Sequence, residues 1–467
     1  MSQSTRKSWY ERIPHPVIML FGIIVLTTLM SYILPAGEYQ REIVDGRQRV
    51  MPGTYKRIAN TPLSLLDMFR AFPMGFKTAS DIVFVVLASG IMFGILEKSK
   101  MIENTVGTVV NKLGLKRKYF IVIMMTFIYG LLGVLIGYEN NIAMVPIAAF
   151  VSLAIGGDLM LAAGISVGAI TVGFGLSPIN PYTVGTGHKI AEMPIYSGAL
   201  LRTALCFLGL SLLAYYNIRY FKKIEANRDT SLSKGVDISG LSLSKPLESY
   251  SITRNNWGVL AIFLGGIVIM LYGVFVHHWY INEISSIFLM IAIVSALWSR
   301  MDAHTIGETT LKSVAVVAPG AFMVGYATTI KVILEMGHIN DTIAYELASV
   351  LESLPTYGSA VFMSIAQCFI NLLIPSGSGQ ALATLPIMIP LGELLGLTRQ
   401  STILAFQIGD GVTNLFNPAL GGLIAMLSLC RISFDKWLRF VLPIVGVLLL
   451  IAWCFLLFSV FIEWGPA

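Results

Sequence analysis

Charge is what this chain has least of. Asp, Glu, Lys and Arg make up 12% of its 467 residues, about half the usual share of a soluble domain, which excludes an ordinary solvated surface. Cysteine is scarcer still. Cys206, Cys368, Cys430 and Cys454 lie in or beside apolar runs with no CxxC spacing. That leaves no sign of a disulfide framework or zinc site, so they read as buried small hydrophobes. No nucleotide-binding loop, metal-ligand cluster or nucleophile–His pairing stands out, so no cofactor and no catalytic residue is expected. The net charge of +6 is not read as a nucleic-acid footprint, because Lys and Arg gather between apolar runs, where they set membrane orientation.

What the chain has is hydrophobic length. Apolar residues make up 55% of it, in recurring runs of roughly 17 to 25, enough to cross about 30 Å of hydrocarbon as helix. The expectation is an all-α polytopic membrane protein. The first run, about Val17–Leu34, is too long for a signal-peptide core, and Pro35-Ala36-Gly37-Glu38 is a weak cleavage site, so the run is read as retained. Arg6, Lys7 and Arg12 before it place the N-terminus in the cytoplasm. The segment from Ala36 to about Ser80 reads as a loop with an amphipathic stretch, Leu63–Phe69, at the outer interface. Further spans are expected at about Ile82–Leu96, Gly198–Tyr216, Trp257–Val276, Ile281–Trp298, Val314–Leu334 and Trp437–Ile462.

The chain also contains itself twice. At an offset of about 237 positions, Met101–Thr105 meets His338–Thr342, the polar interruption at Glu139 meets that at Ser376, and Asn180-Pro181 meets Asn417-Pro418. Lys98, Lys100, Lys112 and Lys116–Lys118 surround the first copy's segment, whereas its counterpart carries Asp341, Glu346 and Glu352 and no Lys or Arg. Equivalent pieces of opposite charge character belong on opposite sides of a membrane, the mark of inverted repeats.

Each copy then reads as a re-entrant hairpin followed by a broken helix. The first repeat is 1–218, with hairpin 119–155 and broken helix 159–190. A polar cytoplasmic linker covers 219–256. The second repeat is 257–467, with hairpin 357–395 and broken helix 401–428. Asn before Pro resists the α region, and Pro removes a backbone donor. Nine spans plus two hairpins put the C-terminus outside.

The hairpin tips Glu139-Asn140-Asn141 and Ser376-Gly377-Ser378-Gly379-Gln380, paired with the breaks Ser177-Pro178-Ile179-Asn180-Pro181 and Thr413-Asn414-Leu415-Phe416-Asn417-Pro418, carry a resemblance. The chain is similar to the YfcC branch of the anaerobic C4-dicarboxylate carrier (DcuC-type) family in the ion-transporter superfamily. The resemblance covers nearly the whole chain. It implies secondary transport across a bacterial inner membrane by a moving transport domain on a scaffold, often as a homodimer. Substrates associated with such members are dicarboxylates, short-chain fatty acids and basic amino acids. The Ser-Asn-Thr tip motifs of the symporter cousins are absent here, replaced by Tyr138–Asn141 and Ser376–Gly379.

The candidate substrate residues are Glu139, Asn140, Asn141, Asn180, Thr183, Ser376, Gly377, Ser378, Gly379, Gln380 and Asn417. The glycine-rich tip offers backbone amides at a helix start to a carboxylate, or serves only to turn and pack. Glu139, ionisable at mid-membrane, meets an ammonium or a coupling proton, or caps the return arm. Ser177, Asp410, Thr413 and Asn414 form the candidate coupling-ion set, for Na⁺ or H⁺, with an Asp410–Lys331 pair as the alternative. Asn180, Thr183 and Asn417 either touch ligand or cap the breaks. One acidic tip and one amide-rich tip suit an amino acid with a cation and a carboxylate. A C4-dicarboxylate or short-chain carboxylate carrier is the rival, and a channel the reading from outside the class.

Overall fold

The computed structural model describes residues 16–465 apart from 45–46, 52, 137, 195, 242–244, 246–248, 278, 280 and 352–353. Arg6, Lys7 and Arg12 lie outside the described residues. The first helix, α1 (Pro16–Ile33), starts on a proline, which costs nothing where the amide has no helical partner. Short strands β1 (Gly37–Glu38), β2 (Arg41–Val44), β3 (Arg47–Val50) and β4 (Lys56–Arg57) follow, paired β1 with β4 and β2 with β3. These strands correct the reading of this stretch as loop. Runs of two to four residues are too short to show a period in the sequence. The amphipathic stretch opens α2 (Leu65–Thr78), where Ser64 and Asp67 form a capping box. Leu65, Leu66 and Phe69 are exposed while Met68 and Ala71 are buried.

The part read from the sequence as the first copy continues with α3 (Ser80–Lys98), α4 (Met101–Leu113) and α5 (Lys118–Ile136). A 3₁₀ segment Glu139–Met144 leads into α6 (Val145–Ala154). Asp158 then caps α7 (Leu159–Ala163), its carboxylate accepting from the Leu161 amide at 2.7 Å. A π segment Gly164–Gly168 joins α7 to α8 (Ala169–Gly175), and after the break come a π turn Pro181–Gly185 and α9 (Thr186–Ile190). Helix α10 (Ala199–Ala226) closes the copy. It runs on past the expected linker start at 219, because Lys222, Lys223, Glu225 and Ala226 are good helix formers and Lys118 and Tyr119 both bond the Glu225 carboxylate.

The part read from the sequence as the second copy comprises α11 (Arg254–His277), α12 (Ile281–Trp298), α13 (Ala303–Met336), α14 (Asn340–Leu351), α15 (Thr356–Leu373), α16 (Gly377–Leu394), α17 (Arg399–Thr413), α18 (Gly421–Leu429) and α19 (Phe434–Phe461). Boundaries recur between copies: α4 is matched by α14, α5 by α15, and α10 by α19 at nearly the sequence offset. Seven described helices, α3, α5, α10, α12, α13, α15 and α19, are long and apolar enough to cross a membrane. The first arms of both expected hairpins are among them. At 19 and 18 residues they reach about 27–29 Å. The return arms are different. Helix α6 has only ten residues, and α16 carries Pro386 and Pro390 inside it.

Two sets of helices pack within one continuous apolar core. In one, α3 and α13 lie along each other with α1, α2 and α12 against them. In the other, α5 packs on α8, α15 on α17, and α8 on α17. The equivalent pairs are α5 with α8 and α15 with α17. In both, a glycine on the broken helix lets the backbones close up: a Cβ on Gly173 would meet the Gly130 carbonyl at 2.0 Å, and one on Gly409 the Ser364 carbonyl at 2.5 Å.

A candidate substrate and ion site

Both breaks are built on one device. The Asn180 carboxamide oxygen accepts from the Tyr182 amide at 2.8 Å, and that of Asn417 accepts from the Ala419 amide at 2.9 Å. Each asparagine bridges its own proline to replace a backbone bond that the proline forbids. Their amide ends are spent as well. Asn180 Nδ2 donates to the Phe174 carbonyl at 3.1 Å, and Asn417 Nδ2 to the Asn371 carbonyl at 2.8 Å. Both side chains therefore hold their breaks through hydrogen bonds at each end.

The second break has a hub that the sequence reading missed. Asn371, fully buried on α15, donates to Asp410 Oδ1 at 3.3 Å and Asn414 Oδ1 at 2.9 Å, while its own carbonyl receives Asn417. Gln367, one turn earlier, donates to Thr384 Oγ1 at 3.0 Å and accepts from Gln380 Nε2 at 2.7 Å. The Gln380 amide is thus turned into the α15–α16 seam. Gln367 and Asn371 stand four apart inside an apolar run, so their shared helix face was the available signal.

Around this frame three of the expected residues, Gly377, Thr183 and Asp410, come close together. A Cβ on Gly377, at the start of α16, would lie 2.6 Å from Thr183 Cγ2 and 3.5 Å from Asp410 Oδ2. One tip therefore touches both breaks. Thr183 Oγ1 and Asp410 Oδ2 are buried without a hydrogen-bond partner. Thr413, a turn beyond Asp410, is fully buried beside the Cys368 thiol. Ser376 caps α16, its hydroxyl accepting from the Gly379 amide at 3.3 Å, and Ser378 is half-buried in the first turn. The Lys331–Asp410 pairing is not formed. Lys331 lies 3.6 Å from Glu335, one turn along α13, the geometry an i,i+4 pair favours.

The first tip is placed differently. Asn141 is buried and donates to the Leu132 carbonyl at 3.2 Å, closing the turn back on α5. Tyr138 bonds Thr171 on α8 at 3.0 Å. The side chains of Glu139 and Asn140 lie outside the described residues. Ser177 bonds within its break, its hydroxyl accepting from the Ile179 amide at 3.2 Å, and its carbonyl receives Gln407 Nε2 at 2.7 Å.

The C4-dicarboxylate anaerobic carrier family, DcuC, matches residues 13–461 of this sequence. The chain belongs to the DcuC family. Among curated relatives, the Escherichia coli K12 protein named "Putative basic amino acid antiporter YfcC" is 27% identical over 491 residues, covering 97% of this chain and 96% of that one. An uncharacterized Haemophilus influenzae protein is 24% identical over 97% of each. The crystal structure of the Alcanivorax borkumensis YdaH transporter aligns with 97% of this chain and all of that one, at 16% identity and a TM-score of 0.46. The structure of Neisseria gonorrhoeae MtrF, one of a class of antimetabolite efflux pumps, aligns at 16% identity and a TM-score of 0.45 over 97% of each chain.

This DcuC-family protein carries one more polar assembly that the sequence reading passed over. Arg202 on α10 is fully buried. Its Nε donates to Gln407 Oε1 at 3.0 Å, its Nη1 to Gln400 Oε1 at 2.8 Å, and it lies 4.7 Å over the Trp464 ring. No carboxylate pairs with it among the described residues. Through Gln407 it is linked to the Ser177 carbonyl, and so to the first break. Gln400, Gln407, Asp410 and Asn414 fall on one face of α17 by their spacing, and that face carries the polar thread between the two breaks.

Proposed function

We propose that this integral membrane protein is a secondary active transporter for a small carboxylate-bearing metabolite, an amino acid and in particular a basic one. Transport is coupled to Na⁺ or H⁺ by symport or exchange, with an elevator-type movement. The observation that carries the reading is the approach of Gly377 to Thr183 and Asp410, whose Oγ1 and Oδ2 are buried with no hydrogen-bond partner. A buried acceptor left unpaired costs about 1–3 kcal/mol, more when charged. A proton on Asp410, or a Na⁺ held by Asp410, Thr183 and Thr413 with freed carbonyls of the break, removes that cost. The first amides of α16 then face a substrate carboxylate.

The amino-acid assignment is supported by an acid, Glu139, at the first tip and by the name of the Escherichia coli relative. The family description favours a second reading, a C4-dicarboxylate carrier in which Glu139 is protonated when the anion binds. On either reading the protein works by transport rather than catalysis. It sits in a bacterial inner membrane with its N-terminus in the cytoplasm and its C-terminus outside, as a homodimer.

The test is a thermal-shift screen of detergent-purified protein against amino acids, dicarboxylates and short fatty acids, with and without Na⁺. A ligand that binds only the native state raises the melting temperature. A shift with arginine, ornithine or lysine supports the proposal; a shift with succinate or fumarate alone overturns it in favour of the dicarboxylate carrier.

A further inference from the structure

A cavity of about 460 Å³ opens between the β1–β2 stretch, α13, the start of α14 and the first turns of α16. That is within the size range of small-molecule sites, roughly 300–1,000 Å³. Its wall is fixed by an ion pair: Arg41 Nη2 reaches Asp341 Oδ1 at 2.7 Å and Oδ2 at 2.9 Å, and the Tyr39 amide donates to the same carboxylate at 2.8 Å. Those two charges satisfy each other.

The remaining charged groups are looser. Lys331 stands 3.6 Å from Glu335, beyond a hydrogen bond, and both side chains keep contact with solvent. Glu38 also lines the space and is exposed. Asn340 lines it too, and its Oδ1 is buried without a donor. The lining includes Gly379, two residues from Gly377, which approaches both Thr183 and Asp410.

We propose that this cavity is a docking subsite, separate from the central site, for a molecule that carries both a carboxylate and an ammonium or guanidinium group. Lys331 receives the carboxylate. Glu335 and Glu38 receive the cation, and a turn of the Asn340 carboxamide offers it an otherwise unused acceptor. The dipolar ligand competes for a Lys331–Glu335 pair too long to hold itself closed, while the Arg41–Asp341 pair keeps the wall in place. The α16 tip borders this cavity through Gly379 and the central site through Gly377. The assignment of ligand class rests on the amino-acid reading of the central site.

A subsite on the approach adds affinity without altering translocation, so its loss raises KM and spares kcat. The experiment is initial-rate uptake of labelled L-arginine by the full-length protein in proteoliposomes, comparing wild type with Lys331→Met, Glu335→Gln and Glu38→Gln. Glu38→Gln changes an exposed strand residue and so guards against a folding defect in the α13 variants. A KM raised about tenfold in Lys331→Met, and severalfold in the two acid variants, with kcat within twofold, is the expected result. An unchanged KM in all three, with arginine still transported by the wild type, overturns the subsite and leaves the central reading standing. A fall in kcat at constant KM overturns it as well, since the residues then act in translocation. If wild type transports succinate and no amino acid, the central reading fails, and the ligand class proposed here fails with it.

Discussion

Gly175 and Gly411 meet backbone to backbone. A Cβ on Gly175 would lie 2.6 Å from the Gly411 Cα, and one on Gly411 would lie 2.5 Å from the Gly175 Cα. The two broken helices cross at this point, just before both breaks, so the spacing of the central site depends on two missing side chains. The neighbouring atoms are main chain and have no rotamer with which to yield.

Gly411→Ala is therefore expected to destabilise by about 1–3 kcal/mol, the usual cost of overpacking, and Gly411→Val by more. A lower melting temperature in detergent, with transport reduced in the surviving fraction, checks it. Equal stability of Gly411→Val and wild type would refute the crossing.

Asp410→Asn keeps an oxygen for Asn371 but removes the ionisable group. The expected outcome is a folded protein whose uptake loses its dependence on the coupling ion and falls at least tenfold, about 1.4 kcal/mol. Thr183→Val removes one of the unpartnered buried oxygens of the site at nearly constant volume. It should weaken ion dependence without unfolding the chain. Measuring initial rate against Na⁺ concentration and against pH, for each variant, separates the two coupling ions.

Glu139→Gln distinguishes the two substrate readings. Uptake of a cationic amino acid should be abolished, and any arginine thermal shift should vanish with it. Exchange of a dicarboxylate, if that is the substrate, should survive, because the amide mimics the protonated acid.

Asn180→Ala and Asn417→Ala each remove an amide bridge over a proline. Each is expected to cost about 1–2 kcal/mol, as the loss of a helix cap does. Asn417→Ala should also loosen Asn371 and hence Asp410, so its transport defect should exceed that of Asn180→Ala at matched stability. Paired melting and uptake measurements decide this.

Gln407→Leu orphans the Arg202 Nε and the Ser177 carbonyl together. At about 1–3 kcal/mol for each buried group left unpaired, it should be among the most destabilising substitutions on α17. Its melting temperature should fall below that of Gln400→Leu, whose partners Ser197 and His188 lie nearer the end of the bundle and whose Arg202 contact is one of several.

The sequence by itself determined the class of structure and where the helices fail. Long apolar runs require helix in hydrocarbon, because only intrachain bonds satisfy the backbone there, and Asn180-Pro181 and Asn417-Pro418 forbid its continuation. Both are local constraints, which one stretch of chain is enough to reveal. The four short strands were hidden because two to four residues set no period. Only the tertiary structure decided which polar groups meet. Gln367 and Asn371 look like stray polar residues in an apolar run until α15 lies on α17. Arg202 looks like a charge at a span end until Gln400, Gln407 and Trp464 enclose it. The Lys331–Asp410 pairing, plausible along the chain, gives way to Lys331–Glu335 because α13 packs on α2, α3 and α18 rather than along α17. Gly377, Thr183 and Asp410 come from three separate segments. Their contact is fixed by the crossing of helices far apart in sequence, a non-local relation that no window of sequence contains.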